Sequence, residues 1–164
     1  MIKIEAATAD DVRFVARNMR VRDFEEFTAV SATDDRDEMA DGLAQRYGGR
    51  DDVLCGSFGG EPICIGGTLE VWPGVMTLLF FATPEFPRIG LPVARFIRNK
   101  LFPRYEAAGI HRIQAISLDG YEEVHSWMRT IGLVPENAPM PAYGKRGEAF
   151  QQFVRLRDVC PAGA

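Results

Sequence analysis

Between Val53 and Thr83 three apolar runs follow one another almost without pause: "VLCGSF", "EPICIGGTLEVW" and "GVMTLLFFAT". This stretch constrains the fold more than any other. The first two runs meet at Gly59-Gly60, a hairpin signal, because both glycines tolerate the positive φ of a tight turn. The third run is apolar enough to be buried on both faces, as a central strand is. Three strands laid down in succession are not a series of βα units, so a doubly wound nucleotide-binding fold is disfavoured.

The flanking segments complete the order. "IKIEA" alternates and reads as a first strand. Thr8 then reads as an N-cap with Asp11 three residues on, before Val12, Val15, Ala16 and Met19 at helical spacing. "RVRDFEEFTAV" lacks a clear period and reads as a link to a second helix, from Asp35 through Met39, Leu43 and Tyr47, stopped by Gly48-Gly49. After the three central strands a helix starts at Pro92, carries Val93, Phe96, Ile97 and Leu101, meets a kink or break at Pro103 and ends at Gly109. "HRIQAISL" is the next strand. Asp119 and Glu122 form a capping pattern before Val124, Trp127, Met128 and Ile131, with Gly132 at the end. "LVPEN" is a short strand at best, "APMPAYGKRG" a loop, and "EAFQQFVRLR" a last strand. The expected fold class is α/β: a mixed sheet in the order β-α-α-β-β-β-α-β-α-β-β with helices on both faces.

A length of 164 residues fits one domain, residues 1–164, with a real core. A net charge of −4 argues against a nucleic-acid-binding face. Three cysteines without CxxC spacing and only two histidines argue against a zinc site, and no other metal site is expected. Cys55 and Cys64 lie in apolar runs and read as small buried hydrophobes in a reducing, cytoplasmic setting. The N-terminus has no signal-peptide pattern, and no apolar run approaches a membrane span.

The element order, with a loop–helix junction after the fourth strand, resembles the GNAT superfamily of acetyl-CoA-dependent N-acetyltransferases over nearly the whole chain. "TPEFPRIGLPVARF" and "YEEVHSWMRTIGLVPE" carry the likeness best. Pro84, Glu85, Phe86 and Gly90 fall in register with the family's cofactor loop, and Ile131-Gly132-Leu133 stands for its Leu-Gly-Phe. "PICIGG", "MRTIGLV" and "YGKRGEAFQQFV" are also similar to GNAT-like proteins of short-tailed phages, which implies a phage or host-cytoplasm setting.

The resemblance implies that the junction after strand four wraps the coenzyme A diphosphate with backbone N–H groups. Pro87 stands in the place of the usual Arg or Gln and Pro92 in that of the last small residue; each removes one donor. The N–H groups of Arg88, Ile89, Gly90, Leu91 and Val93 remain, and the side chains of Arg88 and Arg95 are available for charge-assisted bonds. Equally, the two prolines are a stiff helix entry and nothing more. The backbone of strand four, including Phe81, Ala82 and Thr83, would pair with the pantetheine arm.

The family often has a Glu base on strand four and a Tyr acid on the following helix; Thr77 and Met128 fall near those places and serve neither role. The substitutes are Glu70 as base and Tyr121 or His125 as acid or base. Against them, Glu70 reads as an edge-strand charge and His125, off the apolar face of its helix, as exposed to solvent. The acidic stretch 32–41, "ATDDRDEMAD", reads either as attraction for an amine or Lys-rich partner or as a solvated helix face capped by Asp34 or Asp35. Phe24, Phe27 and Tyr47 read as acceptor-pocket lining or as core.

Two functions follow from the resemblance. One is transfer of an acyl group from acetyl-CoA to a small-molecule or protein amine by direct attack. The other is a GNAT-like protein without catalysis, a virion component or binder of a host protein. An edge strand near the C-terminus permits a homodimer.

Overall fold

The computed structural model describes residues 1–158. A seven-stranded sheet has the order β1-β2-β3-β4-β5-β7-β6. Its strands are β1 (Ile2–Ala6), β2 (Val53–Phe58), β3 (Glu61–Trp72), β4 (Val75–Ala82), β5 (Arg112–Leu118), β6 (Val134–Pro135) and β7 (Phe150–Leu156). Every neighbouring pair is antiparallel except β4 and β5. Gly59 and Gly60 both take positive φ, 60° and 89°, in the turn between β2 and β3.

Alternate residues of β4 divide the core. Leu79 and Phe81 pack with α1 (Ala9–Arg17), α2 (Val21–Ala29) and α3 (Arg36–Tyr47). Phe80 and Ala82 face the opposite way. That second face is covered by α4 (Gly90–Phe96), a π-helical segment (Ile97–Leu101), α5 (Phe102–Ala107) and α6 (Glu122–Thr130). The mixed sheet with helices on both faces is as expected.

Local signals explain much of this. Thr8 and Asp11 form the expected capping box, with Thr8 Oγ1 accepting from the Asp11 N–H at 3.1 Å. Asp35 caps α3 by accepting from the Glu38 N–H at 2.8 Å. Gly48 is required by a close approach: a Cβ there would lie 2.4 Å from the Ala9 backbone. Cys55 and Cys64 are buried; Cys160 lies outside the described residues.

Four expectations are corrected. The segment 21–29 is a helix, α2, not a link; its inward face carries Asp23 with Thr28 and Ala29, so polar groups interrupt the apolar period. The third expected helix starts at Gly90. Pro103 does not break it: the π-helical turn, in which the Phe102 N–H donates to Ile97 O, carries the chain past the proline, which opens α5. Finally, α6 starts at Glu122 with Tyr121 as an N-cap that makes no side-chain bond, so Asp119 is not the cap.

Candidate active site

β4 and β5 pair only from Val75–Arg112 to Thr77–Gln114, and then part. The split opens toward the C-terminal ends of both strands. The Ala82 N–H points away from β3 and donates to Asp23 Oδ2 at 2.9 Å, while Ala82 O accepts from the Arg20 N–H at 2.9 Å. Thr83 N, one residue on, donates back to Ile63 O. Strand alternation therefore turns the Phe80 N–H and C=O into the split, with no strand to receive them. On the other arm the Leu118 N–H donates to Glu26 Oε2 at 2.7 Å, and the same alternation turns Ile116 into the split.

A cavity of about 150 Å³ lies between the arms, lined by Leu78, Leu79, Phe80, Ala115, Ile116, Val124, Trp127, Met128 and Phe150, with Asp23 and Glu26 as its polar groups. Asp23 ion-pairs with Arg20 at 3.0 Å and accepts from the Tyr121 hydroxyl at 2.8 Å. Glu26 Oε2 also accepts from Ser117 Oγ at 2.7 Å. Burial pushes the Glu26 carboxyl up to about 7, against the opposing pull of those two hydrogen bonds. Burial, then the charge of Asp23, raise the Tyr121 phenol well above its usual range.

Next to the split, a groove of about 340 Å³ runs between α4 and α6, lined by Arg20, Phe86, Pro87, Gly90, Leu91, Ala94, Glu123, Ser126, Trp127 and Thr130. Phe80 stacks on Trp127 with centroids 4.4 Å apart, and Phe86 meets both rings edge-on, so an aromatic trio separates groove from cavity.

The expected site residues fall into three groups. The amides of Arg88, Ile89 and Val93 donate to Glu85, Phe86 and Ile89 carbonyls, so they are committed inside the chain; those of Gly90 and Leu91 have no acceptor among the described residues, and both residues border the groove. Arg88 pairs with Glu85 at 3.0 Å and lies over Phe58, turned from the groove, and Arg95 is exposed. Phe81 is core, edge-on to Phe27, and the Thr83 hydroxyl accepts from the Glu85 N–H. Of the acid–base candidates only Tyr121 adjoins the split, through Asp23. Glu70 is exposed opposite Met76, in the paired stretch before the split opens, and does not line the cavity. His125 is buried, not exposed: its ring lies 4.9 Å from Phe153 and its Nε2 has no hydrogen-bond partner among the described residues. Burial pulls its pKa below the usual value.

The acidic stretch borders a wide depression on the α2–α3 side, but Asp34 is already paired with Lys145, at 2.7 Å, and with Arg146. Phe24 and Phe27 are half-buried against the core and Tyr47 is in it; Phe27 also borders the cavity. Sequence reasoning missed Asp23 and Glu26. The trace they left is "DFEEF", two acids three apart with aromatic residues beside each.

No family model and no curated protein sequence matches the chain. Solved structures do. The GNAT-family acetyltransferase from Bacillus anthracis superposes with a TM-score of 0.70 at 13% identity, over 94% of each chain. The ribosomal-protein-S18-alanine N-acetyltransferase of Escherichia coli gives 0.69 at 13% identity, over 100% of this chain and 99% of the other. The yncA protein of Salmonella typhimurium, solved with its cofactor acetyl-CoA, gives 0.64 at 16% identity, over 98% of this chain and 96% of the other. The fold is therefore that of GNAT acetyltransferases. These neighbours lend the narrower phage likeness no support. Among the described residues no helix is long and apolar enough to cross a membrane.

Proposed function

We propose that the protein is an acyl-CoA-dependent N-acyltransferase acting on an amine, with its acyl group bound in the split between β4 and β5. One observation carries this reading: beyond Thr77 the two central strands part around a cavity bordered by Phe80, whose N–H strand alternation turns toward the split, with no hydrogen bond to any of the described residues. A fixed N–H among the mostly apolar residues of this cavity is suited to stabilise the negative charge that develops on an acyl oxygen under attack. The residues fit an acyl-CoA in part. Phe80 would hold the acyl end and the free N–H groups of Gly90 and Leu91 the diphosphate, with Arg20 bordering the same groove. The thioester would supply the activated carbonyl.

Titration calorimetry with acetyl-CoA tests the first half, and release of free thiol in the presence of spermidine or of a peptide with N-terminal alanine tests the second. Those amines are drawn from the neighbouring enzymes, one of which is the spermidine N-acetyltransferase of Vibrio cholerae. Binding at micromolar concentration with thiol release is the expected result. No binding at millimolar acetyl-CoA overturns the reading.

A second reading, a GNAT-fold protein without catalysis, is favoured by a specific observation: Asp23 and Arg20 already hold both backbone groups of Ala82 at the mouth of the split. Acetyl-CoA binding without turnover of either amine would support that reading.

A further inference from the structure

We propose that Glu26 is the proton acceptor of the reaction: its Oε1 takes the proton of the attacking ammonium at the α2 side of the split. The inference rests on the acyltransferase reading above and deepens it. Both hydrogen bonds that Glu26 receives, from Ser117 Oγ and the Leu118 N–H, fall on Oε2. Oε1 carries neither, and the side chain borders the cavity between the strands. A carboxylate gripped by one oxygen and open at the other is held in place while keeping a free site for a proton. Strand β4 offers no rival, since the cavity's β4 residues Leu78, Leu79 and Phe80 are apolar.

An N–H bond of the ammonium breaks and its proton passes to Glu26 Oε1. The freed nitrogen pair forms a bond to the acyl carbon, and the C–S bond breaks with its electron pair on sulfur. The nitrogen's second proton neutralises the thiolate, so no side-chain acid is needed where Met128 stands. Glu26 returns its proton to solvent.

The charged groups acting on Glu26 are Asp23, which disfavours its ionisation, and Arg20, which favours it; β4, β5, β7 and α6 bring apolar side chains and the Ser117 hydroxyl. Burial places its proton release at about 7, where a base can both accept and release at neutral pH.

The test compares wild type with Glu26→Gln. Acetyl-CoA affinity by calorimetry is expected to be unchanged, while kcat/KM for spermidine or the alanyl peptide falls by ~100-fold or more. The acid limb of the wild-type pH profile is expected to vanish in the variant. Ser117→Ala serves as a second variant if Glu26→Gln does not fold: losing a bond to the charged form moves the acid limb to higher pH. A carboxyl resonance of Glu26 followed by NMR in the free protein should move the same way. Glu26→Gln with retained activity and an intact acid limb overturns the role of Glu26 alone. Wild-type protein that binds no acetyl-CoA, or turns over neither amine, overturns the transferase reading and this role with it.

Discussion

Asp23 and Glu26, one turn apart on α2, hold opposite arms of the split sheet: Asp23 accepts from the Ala82 N–H on β4 at 2.9 Å, and Glu26 from the Leu118 N–H on β5 at 2.7 Å. Two central strands that part leave amides without partners, and a buried amide without a partner costs about as much as a lost hydrogen bond. α2 supplies the acceptors from outside the sheet. The split is thus a supported feature of the fold, and the support leaves Phe80 and Ile116 free between the two anchored ends.

Asp23→Ala should destabilise the protein by about 2–5 kcal/mol, because it leaves the Ala82 N–H and the Tyr121 hydroxyl without their acceptor and the Arg20 guanidinium with Glu123, at 3.6 Å, in place of its nearer partner. Asp23→Asn should cost less, since an amide oxygen still accepts. Denaturant unfolding of both variants checks this, and equal, small losses would show that Asp23 is not an anchor.

Glu26→Gln should change stability in a pH-dependent way. The folded carboxyl titrates at about 7 and the unfolded one near 4.5, so the native state holds more protons between those values and wild-type stability falls as pH rises through that window. The variant lacks this loss. Its stability relative to wild type should improve by about 2–4 kcal/mol from pH 4 to pH 8. His125 works the other way: its pKa is lowered by burial, so its contribution is present above about 6.5 and is lost as pH falls below that. Melting temperatures of wild type, Glu26→Gln and His125→Phe across pH separate the two slopes.

Acetyl-CoA should change the fluorescence of Trp127. That ring forms the wall between groove and cavity, while Trp72 is exposed on the far hairpin. In a Trp72→Phe background all emission comes from Trp127. Saturating acetyl-CoA should shift or quench it, and an unchanged spectrum with calorimetric binding would move the ligand elsewhere.

Pro92→Ala should tighten acetyl-CoA binding about tenfold, the value of one added charge-assisted bond at the lower end. The first helical bond of α4 is that of the Val93 N–H to Ile89 O, so an amide at 92 would be left free beside those of Gly90 and Leu91. Unchanged affinity would mean that two donors already satisfy the diphosphate.

The elements with a strong apolar period or a local cap were legible in the sequence: the hairpin at Gly59-Gly60, the capping box at Thr8, the cap at Asp35 and the central strand β4, although its residues 76–80 are only half-buried. Each depends on neighbours within a few residues, which is why a linear reading finds it. His125 was misplaced for the opposite reason: β7 arrives from far along the chain to bury it against Phe153, whereas Glu70 is exposed on β3, as its reading as an edge-strand charge has it. α2 was unreadable because its inward face carries Asp23 and Glu26, whose partners Ala82, Tyr121, Ser117 and Leu118 lie more than fifty residues away.

The sequence by itself thus determined the strands, the β2–β3 hairpin and the local caps at Thr8 and Asp35, because spacing and turn chemistry act locally. Only the tertiary structure decided where β4 and β5 part and which groups answer the amides they expose. Those acceptors are charged side chains on a distant helix, and their burial becomes favourable only when both strands are in place.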